Sequence, residues 1–339
     1  IGALVLMLGV SALLGLGEGV KTSLLTTFLL AGAAGYQAVW GVAHALHTPL
    51  MSVTNAISGM TAVGGLLLMQ RSSDAFAAYI LAMLAVTASS VNIIGGFVVS
   101  QRMLDLFKKP GDQDYSLLML APGVVFLYAC AFHTELLKPV LSVSALLCVA
   151  AIGGLATMST ANAGCKFGMC GVFGALAATL VDLPGELVAT AAILMLVGGG
   201  AGLVWGMKVS PIALPQTVAA FHSLVGLAAM ITSIGSHILH PNAGSMHLSA
   251  SILGDFIGGV TLTGSLVAFG KLNGNMSTAP MNLPGKNYLN AGMLAAQLGL
   301  GASFLATGGL TELVATAALS SAMGVHLVGS VGGGDMPCC

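Results

Sequence analysis

Long apolar runs recur along this chain, and they constrain its fold more than any other feature. A helix rises 1.5 Å per residue, so about 20 apolar residues cross a hydrocarbon core of about 30 Å. The predicted fold class is therefore all-α, a polytopic transmembrane helix bundle. We predict about twelve spans, at 1–17, 23–43, 49–69, 75–100, 117–134, 138–157, 166–181, 186–206, 213–235, 248–270, 290–308 and 311–331.

The charge content supports a membrane location. Only 6% of the 339 residues are charged, whereas a soluble domain carries about 25%, and 56% are hydrophobic. The net charge of −1 provides no field that would hold a polyanion. We expect the lipid bilayer as a partner and no nucleic acid.

The potential metal ligands do not form a convincing site. The six cysteines include no CxxC pair, so neither a zinc site nor a disulfide framework is predicted. His44 and His47 are three residues apart but have no carboxylate or cysteine beside them. His237, His240 and His247 lie in a predicted outer loop, where solvated side chains that gather protons are the favoured interpretation.

Glycine-rich segments favour close packing of helices. GGGAG at 198–202 lacks the GxGxxG spacing of a dinucleotide site and lies inside a predicted span. Gly254 and Gly258 form a GxxxG pair on a small-residue face that also includes Ser265. Tight packing is the favoured interpretation of this face, and a stripe of hydroxyls that holds water is the alternative.

The distribution of cationic residues predicts the orientation. With the N-terminus inside, seven Lys and Arg residues fall in inner loops and three in outer loops, as the positive-inside rule requires. Inner residues such as Lys271 and Lys286 either orient the chain, which we favour, or contact an acidic partner. The polar segment 101–116 is predicted to be an inner linker between a first four-helix block, 1–100, and a second block of about eight helices, 117–339.

His222 is the first candidate for proton chemistry. It lies about nine residues into its predicted span, roughly 13 Å deep and near the midplane. An imidazole, with an ordinary pKa near 6.5, is well suited to exchange protons near neutrality, and ionisable residues at such depth are usually functional. A neutral histidine that hydrogen-bonds a neighbouring helix is the alternative.

Other polar residues extend this candidate site. Asp255 lies roughly 10 Å below the outer end of its span, and proton transfer and a structural role remain equally open. By depth, Asp255, His222, Ser265 and Asp335 follow one another from the outer to the inner side, as a proton path requires. The asparagines within spans are expected to bond across helices rather than carry substrate; these are Asn55 and Asn92.

Five segments together carry a specific resemblance. They are HALHTPLMSVTNAISG (44–59), VNIIGGFVVSQRML (91–104), FHSLVGLAAM (221–230), GGVTLTGSLVAFGKL (258–272) and GGGDMP (332–337). In this order they resemble the membrane domain of the proton-translocating nicotinamide nucleotide transhydrogenases, over nearly the whole chain.

The resemblance implies that an NAD(H)-binding domain precedes residue 1 and an NADP(H)-binding domain follows residue 339. Hydride would pass from NADH to NADP⁺ in those domains, so no catalytic or cofactor-binding residue is expected in this chain. The membrane part would let a proton move inward, with His222, Ser265 and Asp335 at the positions of the family's functional residues. The resemblance also implies a homodimer, and the fused form favours the mitochondrial inner membrane over a bacterial plasma membrane.

The alternatives to a proton-translocating enzyme are a secondary transporter and a scaffold subunit. A secondary transporter of a small solute would have inverted repeats and a substrate site near the midplane. A scaffold subunit would have no need for His222 at depth. The five matching segments favour the transhydrogenase.

Overall fold

The computed structural model describes residues 32–33, 35–36, 40–42, 46–72, 75–107, 118, 121–281 and 285–333. Within these ranges all the longer elements are α-helices, joined in two places by short 3₁₀ turns. The helices are α1 (His47–Ser58), α2 (Thr61–Arg71), α3 (Phe76–Asp105), α4 (Ala121–Phe132), α5 (Leu137–Gly154), α6 (Ala161–Asp182), α7 (Gly185–Lys208), α8 (Leu214–Leu239), α9 (Ser245–Leu272), α10 (Lys286–Thr307) and α11 (Leu310–Gly329).

Nine helical segments within the described ranges are long and apolar enough to cross a membrane, with α1 and α2 together forming one of them. Each of the nine corresponds to one predicted span. The predicted span at 117–134 contains α4, which has only 12 residues and is too short to count. The predicted spans at 1–17 and 23–43 lie wholly or largely outside the described residues, so the count of about twelve stays a prediction. The helical fold class is confirmed for the described residues.

Helix α3 lies at the centre of the bundle. It contacts α1, α2, α7 and α8, and more sparsely α6, which packs on α5 and α4. On the other side, α8 packs on α9, α9 on α11, and α11 on α10. Helix α3 continues to Asp105, so the predicted linker at 101–116 begins as helix.

The glycines of α7 pack directly on α3, which confirms the packing interpretation of GGGAG. A Cβ on Gly198 would lie 3.0 Å from the Cβ of Ser90, and one on Gly206 would lie 3.3 Å from the carbonyl oxygen of Gly95. Small residues at such positions let two helix backbones approach closely where no water-driven hydrophobic force holds them together.

The predicted GxxxG face of α9 packs on α8. A Cβ on Gly258 would lie 2.6 Å from the backbone nitrogen of Met230, and one on Gly226 would lie 2.8 Å from the carbonyl oxygen of Gly258. Gly226 also lies against the backbone of Leu262. Residue numbers therefore fall on α8 as they rise on α9, and this antiparallel register fixes the relative heights of the two helices.

Helices α9 and α11 run parallel. The Thr263 hydroxyl donates to the carbonyl of Ser321 at 2.7 Å. A Cβ on Gly259 would meet the Ser320 side chain, and one on Gly264 would lie 2.9 Å from Val328 Cγ2. Because the residue numbers rise together on both helices, α9 positions lie opposite α11 positions about 58 to 64 residues later.

Two of the cationic side chains at the predicted inner face make structural contacts. Arg102 donates from one guanidinium nitrogen to the carbonyls of Gly206 and Val209, at 2.6 and 2.7 Å. These carbonyls end α7, where a positive charge also complements the helix dipole. Lys166 donates to the side-chain oxygen of Gln101 at 2.7 Å.

Candidate functional site

A cavity of about 240 Å³ lies between α1 and α8, and four of the six residues that line it are polar. It is large enough for several water molecules. Its four positions on α1 follow the spacing i, i+3, i+4 and i+7, so they share one helix face. The lining residues are Met51, Thr54, Asn55, Ser58, Val218 and His222.

The imidazole of His222 is held by an asparagine on α1. Its Nδ1 lies 3.1 Å from Oδ1 of Asn55, and because an amide oxygen can only accept, the ring donates through Nδ1. In the neutral ring this leaves Nε2 as the proton acceptor. The amide nitrogen of Asn55 donates to the carbonyl of Val218 at 3.3 Å, so Asn55 contacts α8 at two points one helix turn apart.

The backbone of Asn55 is anchored as firmly as its side chain. Its carbonyl oxygen accepts from the hydroxyl of Ser58 at 2.7 Å, from the backbone N–H of Gly59 at 3.2 Å, and from the side-chain amide of Asn92 on α3. The expectation that both asparagines bond across helices is confirmed. The pairing of Asn55 with His222, and the place of Thr54 and Ser58 in the cavity, are not predicted from the sequence.

A tightened turn in the helical path lies beside the cavity. Helix α1 ends at Ser58 and α2 begins at Thr61, with turn conformation between them. At Gly59, a Cβ would lie 2.5 Å from Cγ1 of Ile93, so only glycine allows this close approach to α3. The backbone of Gly59 and Met60 stays in the right-handed helical region, so α1 and α2 are joined by a tightened turn within one membrane span.

The rotation of α8 directs His222 into the cavity. Its neighbour Phe221 is fully buried and packs on Gly95, where a Cβ would overlap the phenyl ring. Phe221 also makes an edge-to-face contact with Trp205, with 5.2 Å between ring centroids. With Phe221 fixed on α3 and α7, His222 faces α1, where its ring lines the polar cavity.

Ser265 lies at the same height as His222, one helix away. It is buried on α9, two turns after Gly258 and on the same side, which faces α8. The antiparallel register places Ser265 opposite the pair His222 and Ser223. Counting residues along each span predicts a different position for Ser265, closer to the inner side than His222. Asp335 lies outside the described residues.

Asp255 lies apart from the cavity. It is fully buried, one turn before Gly259, on the side of α9 that faces α11. The register of α8 and α9 separates it from the level of His222 by about eleven residues, or about 16 Å along the helix axis. The structure therefore brings His222 and Ser265 to one height but does not bring Asp255 to them.

Lys271 ties the end of α9 to the end of α11. Its ammonium group, only 1% exposed, donates to the carbonyls of Gly329 and Val331 at 2.6 and 2.7 Å. The backbone of Gly333 donates to the carbonyl of Thr278 at 2.8 Å, which joins the same loop to the start of GGGDMP. The buried lysine thus shapes the point where the chain leaves α11.

The histidines other than His222 have structural contacts or lie near each other at the predicted outer end. His237 donates through Nε2 to the carbonyl of Gly308 at 3.0 Å, and the rings of His240 and His247 are 5.7 Å apart. Among the described residues, no three His, Cys, Asp or Glu side chains lie close enough to hold a metal ion. His44 lies outside those residues.

Comparisons with known families match two segments of the chain. Residues 138–339 match the family described as NAD(P) transhydrogenase beta subunit. Residues 24–109 match the 4TM region of pyridine nucleotide transhydrogenase. The first match alone covers more than half of the chain.

Two bacterial relatives agree with these matches. The NAD(P) transhydrogenase subunit beta of Rhodospirillum rubrum is 36% identical over 204 residues, which cover 58% of this chain and 44% of the relative. The NAD(P) transhydrogenase subunit alpha of Haemophilus influenzae is 52% identical over 84 residues, which cover 25% of this chain and 16% of the relative. The chain thus matches less than half the length of either relative. Because the beta-subunit match spans most of its described membrane helices, the chain belongs to the NAD(P) transhydrogenase beta subunit family.

Proposed function

We propose that this chain is the proton-translocating membrane domain of an NAD(P) transhydrogenase, which couples inward proton movement to hydride transfer from NADH to NADP⁺. One observation carries the proposal: in a chain of this family, a histidine of a membrane helix lines a polar cavity and is held by an asparagine of a facing helix. The hydride chemistry belongs to nucleotide-binding domains outside this chain.

The proposed partners follow from the family matches. Relatives of the two matched segments are named as separate alpha and beta subunits, and here both segments are parts of one chain. We therefore propose NAD(H)- and NADP(H)-binding domains as partners, and 101–116 as the linker between blocks 1–100 and 117–339. The gap between the two family matches, 110–137, overlaps this linker. A homodimer in the mitochondrial inner membrane is the proposed assembly.

In the proposed mechanism, Nε2 of His222 takes up the proton while Nδ1 keeps its hydrogen bond to Asn55. The hydroxyls of Thr54 and Ser58 both donate to backbone carbonyls of their own helix, at 3.0 and 2.7 Å. Their oxygens therefore keep lone pairs that can accept from water or from the imidazolium. A protonated ring in this cavity would meet acceptors, which lowers the cost of the charge.

The proposed inward route leads from His222 to the height of Ser265 and on to Asp335 at the junction with the NADP(H)-binding domain. Lys271 supports this junction because it joins α9, which carries Ser265, to the end of α11. Asp255 belongs to the proposed pathway on the outer side. The family match favours a transhydrogenase over a secondary transporter, so a secondary transporter is not proposed.

The test uses the full-length enzyme in lipid vesicles. We expect His222→Ala to abolish proton-coupled reverse transhydrogenation, whereas cyclic hydride exchange, which needs only the nucleotide-binding domains, continues. His326→Ala is the matched control, because His326 also donates to an asparagine, Asn290, at 2.7 Å, but lies on α11 away from the cavity. Normal proton pumping by His222→Ala, or equal losses in both variants, would refute the proposal.

A further inference from the structure

A second group of polar side chains is buried between α9, α10 and α11. Asp255, Gln297 and Thr316 are 0%, 6% and 0% exposed. The structure shows no protein hydrogen-bond partner for five of their polar atoms. These are both carboxyl oxygens of Asp255, the amide oxygen and nitrogen of Gln297, and the hydroxyl oxygen of Thr316. Buried polar groups without partners are costly, so three in one region require an explanation.

The register of α9 and α11 places two of these side chains next to each other. Gly259 packs against Ser320, and the two helices run parallel. Asp255 and Thr316 lie one turn before Gly259 and Ser320, respectively, on the same sides of their helices. Both are fully buried, so the carboxyl and the hydroxyl face the same helix interface.

Gln297 approaches this region from α10. It lines a groove together with Ile252 and Phe256, the residues of α9 that flank Asp255. It also lies two turns from Phe304, which is buried against the same helices. The amide group of Gln297 is therefore at the height of the Asp255 turn.

No cation in the described structure pairs with the Asp255 carboxyl. The nearest titratable groups on the packed helices are His237 of α8 and Glu312 of α11, each about one turn closer to the outer end. On α9 itself, His247 is two turns away, and α10 carries titratable side chains only in its first turn, at Lys286 and Tyr288. An ionised carboxylate here would be a buried charge without compensation.

We propose that Asp255 is a proton-binding site in its own right, distinct from the His222 cavity, and that Thr316 and Gln297 supply its hydrogen-bond partners. The bound proton makes the carboxyl neutral and gives it an O–H donor. That donor and the carbonyl oxygen can then pair with the Thr316 hydroxyl and the Gln297 amide, directly or through internal water. Proton binding thus satisfies polar atoms on three helices at once.

The role of the Asp255 site in enzyme turnover rests on the proposed function. Proton binding at Asp255, in contrast, can be measured whether or not the proposed function is correct. The separation of about 16 Å from the level of His222 excludes direct transfer between the two groups. The Asp255 site would instead hold a proton in the outer half of the bundle.

Infrared difference spectroscopy of the full-length enzyme in lipid vesicles tests the proposal. Near neutral pH we expect a C=O stretching band of a protonated carboxyl group that shifts in D₂O and is lost in Asp255→Asn. Thr316→Val should move this band to higher frequency, because the carboxyl loses a partner. Thr263→Val is the matched control: it removes a hydroxyl from the same interface about two turns away, one that already donates to Ser321, and should leave the band in place.

A spectrum in which Asp255→Asn removes no protonated-carboxyl band would overturn the proposal, as would equal shifts in Thr316→Val and Thr263→Val. If Asp255→Asn does not assemble, the comparison of the two threonine variants decides the question. His222→Ala should keep the band while losing proton pumping. A His222→Ala enzyme that pumps would instead refute the proposed function and leave the Asp255 assignment standing.

Discussion

Removal of the Asn55 side chain tests the central contact of the candidate site. Asn55→Val keeps a similar volume but takes away the acceptor of the His222 Nδ1–H, which lies 3.1 Å away. A hydrogen bond to a charged group contributes about 1.5–3 kcal/mol, and about 1.4 kcal/mol corresponds to a factor of ten. The neutral ring also donates to Asn55 through Nδ1, in a bond that contributes about 0.5–1.5 kcal/mol, so the protonated form is disfavoured only by the difference of about 1–1.5 kcal/mol. We therefore expect the protonated form of His222 to be populated about 5- to 10-fold less.

The assay is the rate of proton uptake that accompanies transhydrogenation in vesicles, with cyclic hydride exchange as the internal reference. We expect the coupled rate to fall about 5- to 10-fold and the cyclic rate to change little. Asn55→Asp keeps an acceptor for His222 but loses the donor to Val218, so its proton uptake should fall less than that of Asn55→Val.

The control is Asn290→Val, which removes the equivalent acceptor from His326 at 2.7 Å. It should leave the coupled rate within about twofold, a change of less than about 0.5 kcal/mol. Proton uptake that survives Asn55→Val unchanged, or a loss of the cyclic reaction in parallel, would show that the contact with His222 does not serve proton transfer.

Two further substitutions test packing and the inner junction. Lys271→Met leaves the carbonyls of Gly329 and Val331 without their cationic donor, so we expect the free energy of unfolding to fall by about 2–4 kcal/mol. Thermal unfolding in detergent measures this loss, with Lys208→Met as the control. An unchanged unfolding midpoint would contradict the role of Lys271. Gly258→Val places a branched side chain 2.6 Å from the backbone of Met230 and should destabilise the bundle by more than about 2 kcal/mol. The control is Gly292→Val, which has open space around its Cβ position and should cost about 1 kcal/mol or less. Similar losses in the two variants would contradict the packing of α8 on α9.

The depth of His222 could be predicted from the sequence, but its environment could not. Depth follows from counting residues along an apolar run, because each residue advances a helix by 1.5 Å. The partner Asn55 is 167 positions away, and only the packing of α1 on α8 brings them together. The sequence shows only that Asn55 is a polar residue in another apolar run. This makes Asn55 a candidate for a contact between helices but does not show that its partner is His222.

Counting residues along the spans also predicts an order of depth for the polar residues, but it does not predict which helices they face. It predicted one line from Asp255 through His222 to Ser265, because the method assigns a height but no helix face. The GxxxG pair showed that α9 packs closely, but not that α8 is its partner through Gly226. The register of α8 and α9 places Ser265 at the same level as His222. Asp255 lies on the side of α9 that faces α11 and not on the side that faces α8.

The contacts of α8 limit where the cavity can change shape. One face of α8 is fixed on α9 by backbone contacts at Gly226 and Gly258, and another on α3 by Phe221. Glycine-mediated backbone contacts leave little freedom for sliding, since any shift creates overlap. The opposite wall is α1, which ends beside the cavity at the Gly59 turn and is tied to α8 through Asn55. A change in the protonation of His222 alters that same tie, so a rearrangement coupled to proton binding is expected on the α1 side, with α8 and α9 moving as one unit.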